Sequence, residues 1–190
     1  DFINSYKSTS FVPVSSELIT HLNNLLLKTI LDSWETGKFR KFSEIPNEIY
    51  DQWYKYRDYY PKRNNQKYFN EFSEWIYSSK ENYHKLIQCS LLIYEFIDNA
   101  PMYAANQITS LLTTTCVLKD FGYNDNNTFC IAKALHPIYK EISSIFKMSK
   151  SKRDQTLFTE AILYALSLES IQLKQLYESS YNRTIKKKTD

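Results

Sequence analysis

Glycine occurs only twice in the 190 residues, at Gly37 and Gly122. Glycine is the residue that takes positive φ without penalty, so a chain this poor in it cannot build a series of tight hairpins. Nor can it form the Gly-rich loop of a P-loop or of a dinucleotide fingerprint, where backbone N–H groups must approach a phosphate closely. What remains is helices joined by ordinary residues. With 43% hydrophobic and 24% charged residues the chain reads as globular, and its length suits one sizeable core. The expected architecture is an all-α bundle of six to seven helices, one domain over residues 1–185. Its residues 1–14 form a short extended segment, and a basic tail follows at 186–190.

Periodicity places the elements. Phe2, Ile3, Tyr6 and Phe11-Val12-Pro13-Val14 read as extended, since Pro13 pushes its predecessor out of the helical region. Ser15-Ser16-Glu17 then opens a helix whose Leu18, Leu22, Leu25, Leu26, Ile30 and Trp34 run to a stop at Gly37. A second helix follows Pro46, with Ile49, Trp53 and Tyr56 on one face, and ends at Pro61. Tyr68 to Ser79 is a short third. A strongly apolar fourth begins near Glu81 and carries Leu86, Ile87, Cys89, Ile93, Phe96 and Ile97. The break at Asp98-Asn99-Ala100-Pro101 leads into a fifth, from about Ala105 to Phe121, with Ile108, Leu111, Leu112, Thr115 and Leu118, stopped by Gly122. Ile131 to Met148 reads as one helix, and Asp154 caps the last.

The net charge is +3, and its densest run is Arg183 with Lys186, Lys187 and Lys188, read as a solvated terminus. Trp53, Tyr54, Tyr56, Tyr59 and Tyr60 alternate with basic residues, but Asp51 and Asp58 dilute the run and helix packing accounts for it better than base stacking. No nucleic-acid partner is expected. Cys89, Cys116 and Cys130 are odd in number and lack metal spacing, which fits mostly buried free thiols in a reducing compartment. No apolar run approaches the ~20 residues that span a bilayer. The expected setting is therefore the cytoplasm, with no membrane partner.

Catalytic patterns are scarce. There is no Gly-x-Ser-x-Gly elbow and no His-Glu-x-x-His run. His136-Pro137 is followed by neither glycine nor a nearby arginine, and reads as a helix-start proline beside a surface histidine. His21 and His84 stand alone within helical runs.

One segment says more. From Leu91 to Tyr123, Tyr94 and Phe96 close one helix, the loop carries Asn-Ala-Pro-Met-Tyr-Ala-Ala-Asn-Gln, Leu111-Leu112 lie in the next helix and Gly122-Tyr123 end it. This resembles the core of the Fic family, where a helix leads into a His-Pro-Phe-x-Asp/Glu-Gly-Asn-Gly-Arg-x-x-Arg loop and then a Leu-Leu helix. Phe11-Val12-Pro13 is similar to the family's entry after its flap, and Asp154 to Leu176 to its closing helix.

In such a motif the His is the general base for a target hydroxyl and the acid holds Mg on nucleotide phosphates. The glycines expose N–H groups at a helix N-terminus, and the Arg neutralises phosphate. Aligned on Leu111-Leu112, the His position here is Asn99, the acid Tyr103, the glycines Ala104 and Asn106, the Asn between them Ala105, and the arginines Gln107 and Ser110. Aligned on Pro101, the base position is Ala100 and one residue is missing. Neither register supplies a base, an acid, a glycine or an arginine. The resemblance thus implies a degenerate Fic protein acting by binding. Its ligand-binding residues would be Asn99, Tyr103, Asn106 and Gln107, and its partner-binding segment would display Ile3, Tyr6 and Phe11. A protein partner is expected first and a nucleotide second. ATP or another nucleotide with Mg would serve only if activity survived, and no metal site is assigned. The alternatives are a diverged transferase, moving AMP or another phosphate-containing group onto a protein hydroxyl with Asp98 or His84 as its base, and an unrelated helical interaction domain.

Overall fold

The computed structural model describes residues 14–33, 35–41, 64–79, 82–123 and 128–189, with side chains as far as Tyr181. Among the described residues the fold is helical throughout: α1 Ser16–Leu27, α2 Asn65–Ser78, α3 Lys85–Asn99, α4 Asn106–Asp120, α5 Ile131–Leu135, α6 Ile142–Lys152 and α7 Thr156–Thr189. A 3-10 turn, His136–Ile138, lies between α5 and α6. The extended segment expected at 2–13 and the helix expected after Pro46 lie outside the described residues.

α1 starts where the sequence placed it, with the Ser15 hydroxyl accepting from the Leu18 N–H at 3.2 Å. It stops ten residues short of Gly37. Ile30 is 56% exposed, so no core rewards a further turn. Instead the chain folds back, and Gly37, at φ +62, lies against the helix. Its N–H donates to Asn23 Oδ1 at 2.9 Å, and the Thr36 hydroxyl donates to Asn24 Oδ1 at 3.0 Å. A Cβ at Gly37 would come 2.7 Å from the Asn24 Cβ. The glycine marks a close approach of two segments, not the end of a helix.

α3 is the centre of the molecule. Cys89, Leu92, Ile93, Phe96 and Ile97 are each at most 1% exposed, as its apolar sequence implies. The side chain of Phe69 on α2 meets Phe96 edge-on at 4.9 Å. On another side Tyr94 sits among Phe146 of α6 and Phe158 of α7, at 4.9 and 5.3 Å. α3 and α4 form an antiparallel pair: at one end they are joined by the short connection 100–105. At the other, the Lys85 ammonium lies 5.1 Å over the Phe121 ring and 3.5 Å from its carbonyl.

α4 buries a face that periodicity did not single out. Ile108 is 44% exposed, whereas Thr109, Ser110, Thr113 and Thr114 are at most 1% exposed. Thr113 and Thr114 donate to the carbonyls of Thr109 and Ser110, both at 2.8 Å, so their hydroxyls are satisfied within the helix. Their small size also lets α1 and α3 approach.

The single helix expected over 131–148 is split. Pro137 lacks an N–H and begins a 3-10 turn, and the chain re-enters a helix at Ile142. Asp154 caps α7 as expected, its carboxylate accepting from the Thr156 N–H at 2.9 Å. α7 remains helical to Thr189, through the basic run. No described helix is long and apolar enough to cross a membrane.

Candidate functional site

The connection between α3 and α4 is built from two left-handed residues. Ala100, at φ 38, ends α3, and Ala105, at φ 56, precedes α4. Alanine in that region costs energy, of order 1–2 kcal/mol each, so the surroundings must hold the shape. Three side chains do so. The Asn106 amide, 0% exposed, accepts from the Met102 N–H at 2.7 Å and donates to the Met102 carbonyl at 3.0 Å. Asn23 of α1, also fully buried, donates to the Ala104 carbonyl at 2.8 Å and to the Thr109 hydroxyl at 3.0 Å. Arg40, 3% exposed, donates to the Ala100 and Asn99 carbonyls at 2.5 and 2.9 Å. A guanidinium on the last carbonyls of α3 satisfies both hydrogen bonding and the helix dipole. The backbone joins in through an isolated antiparallel bridge between Phe39 and Met102, with the Arg40 N–H on the Pro101 carbonyl at 2.9 Å.

The expected ligand-binding residues fall together on this connection, and the side-chain amides of Asn99, Asn106 and Gln107 bond within the protein. Asn99, 7% exposed, donates at 2.9 Å to the Glu95 carbonyl and to its carboxylate, which also accepts from Tyr68 at 2.5 Å. Gln107, 6% exposed, donates to the Tyr139 hydroxyl at 2.8 Å. Tyr103 is partly buried against the cluster of Leu27, Ala104 and Ala105. Asp98 is paired with Lys150 of α6. Ile3, Tyr6 and Phe11 lie outside the described residues.

Sequence reasoning missed Arg40, Asn23 and Tyr139. No spacing signal links them to the loop: 59 or more positions separate Arg40 from the carbonyls it holds, and 81 separate Asn23 from Ala104. It also missed a cleft at the opposite end of the α3–α4 pair, of about 590 Å³, walled by Leu86, Ile87, Leu118, Phe129 and the Leu163–Ile171 stretch of α7.

Among the described residues no group of three or more His, Cys, Asp or Glu could hold a metal ion. The thiols have contrasting settings. Burial pushes the Cys89 thiol far above its ordinary range and the Cys116 thiol up to about 11, whereas Cys130 is exposed.

The chain matches no protein-family profile and no curated protein at a significant level. It is similar in structure to a Fic family protein from Desulfovibrio desulfuricans G20, with a TM-score of 0.63 and 17% identity. The match covers 86% of this chain and 48% of that one, so this chain spans about half the length of its structural neighbour. At that identity the likeness concerns the fold, and the fold of this chain is a Fic-like helical bundle.

Proposed function

We propose that this chain is a catalytically degenerate Fic-fold protein that acts by binding a partner, not by transferring a nucleotide group. The observation that carries the reading is Asn106. In the alignment on Leu111-Leu112 it stands where the family has a glycine, and its side chain closes on both backbone groups of Met102. A phosphate cradle needs bare N–H groups and open space at the start of the following helix. Here the residue that opens α4 carries a side chain in place of that bare backbone, and the side chain is closed on the loop's own Met102.

The diverged-transferase alternative fares less well. Asp98 is engaged by Lys150. His84 caps the start of α3, at the far end from the loop. The antiparallel α3–α4 pair around the 100–105 connection, in turn, favours Fic ancestry over an unrelated helical module. Binding of a protein segment is assigned to the Ile3, Tyr6 and Phe11 stretch on sequence grounds, by strand pairing of the kind a Fic flap makes. Incubation with labelled ATP or CDP-choline, Mg and candidate target proteins is expected to yield no labelled product. Robust Mg-dependent transfer would overturn the reading.

A further inference from the structure

The cleft at the other end of the α3–α4 pair has a composition that the proposed function does not use. Its volume of about 590 Å³ lies within the ~300–1,000 Å³ typical of small-molecule sites. Its walls are apolar: Leu86, Ile87, Leu118, Phe129, Leu163 and Leu166 line it. The two serines on its α7 side are spent, since Ser167 and Ser170 donate to the Tyr164 and Leu166 carbonyls at 2.7 and 2.9 Å. Polarity is concentrated where α3 begins and α4 ends, in the rings of His84 and Tyr123.

The chemistry of that polar end is set by a helix cap. The Leu86 N–H donates to His84 Nδ1 at 3.3 Å. A nitrogen that accepts carries no proton, so the neutral ring presents its N–H at Nε2. Nε2 lies 3.5 Å from the Tyr123 hydroxyl, too far for a good hydrogen bond between them. The mouth of an apolar cleft therefore offers an imidazole N–H and a phenol O–H side by side. Lys85 adds positive charge nearby, although its ammonium is shared with Asp120 and the Phe121 carbonyl.

We propose that this cleft binds a carboxylic acid with a long apolar body. The chain or ring system fills the space between α3, α4 and α7, and the two carboxylate oxygens accept from His84 Nε2 and the Tyr123 hydroxyl. A protein partner fits less well, because the cleft's volume is that of a small-molecule site and its donors sit at one end only.

Sodium dodecanoate, titrated calorimetrically into the full chain below its micellar concentration, should bind saturably at one site. Dodecyltrimethylammonium, with the same tail and no acceptor, should bind at least tenfold more weakly. Ser170→Phe, at an exposed position on the cleft wall, should fill the cleft and abolish binding. Tyr123→Phe should weaken it by roughly tenfold, the size expected for a bond to a charged group. His84→Asn, which retains a capping side chain, should also weaken it. Circular dichroism melting identifies any variant that fails to fold, and the two head-group variants then stand in for Ser170→Phe. The proposal is overturned by the absence of saturable binding, by multiple sites indifferent to these substitutions, or by equal affinity for the two amphiphiles.

Discussion

Asn106 shows how one side chain can decide what a loop does. It is buried, and both ends of its amide are used on Met102. Replacing it with Ala would leave a backbone donor and acceptor without that partner in a space closed to water. Each such orphan costs about 1–3 kcal/mol. Asn106→Ala is therefore expected to lower unfolding stability by about 3 kcal/mol in urea titrations, with no nucleotidyl transfer gained. Nothing in the spacing of the sequence pointed to this role; the fold shows that Asn106 braces the loop. Asn99 and Gln107, expected as ligand contacts because amides hydrogen-bond, donate to Glu95 and Tyr139.

At the scale of elements, two capped starts were legible. Ser15 and Asp154 cap α1 and α7 as their residue types predict, because a cap is a local interaction between near neighbours. The end of α1 was misplaced because its stop depends on what the chain meets next. Gly37→Ala tests this directly. The methyl group would strike Asn24 in a backbone conformation that alanine resists, and a loss of about 2 kcal/mol in unfolding stability is expected. Were Gly37 a simple helix stop, the effect would be smaller.

Charge acts at this scale too. Hydrogen bonds to Thr156 hold the Asp154 carboxyl below its ordinary value of 3.8, and hydrogen bonds from its own backbone and from Ser15 hold Glu17 below 4.5. Both folded values are depressed, so their stabilising contribution is present above the unfolded values and disappears as pH falls through the folded ones. Melting temperature should thus drop on acidification below about pH 4.5. Asp154→Asn, which can still cap, should flatten part of that dependence.

For the molecule as a whole, α3 sets the plan, and its near-continuous apolar sequence announced as much. What surrounds it was harder to foresee. α4 turns hydroxyls inward and leaves Ile108 outside, a choice that depends on how closely α1 and α3 approach. Burial of the thiols follows the same packing and yields a simple test. With a thiol reagent at neutral pH the folded chain should show one fast-reacting cysteine, Cys130, while Cys89 and Cys116 react only on unfolding. Burial removes access and raises both thiols out of the reactive range. Three fast thiols would mean that the core around α3 and α4 is open.

Sequence by itself determined the helical character, the capped starts of α1 and α7 and the break after Asp98. Each of these is written in residue type or in short-range spacing. Tertiary structure decided what the loop became. Arg40 and Asn23 reach one turn of backbone across long separations, and the apolar cleft is formed between α3, α4 and α7. Such arrangements depend on which buried surfaces come together, and one-dimensional periodicity carries no record of that.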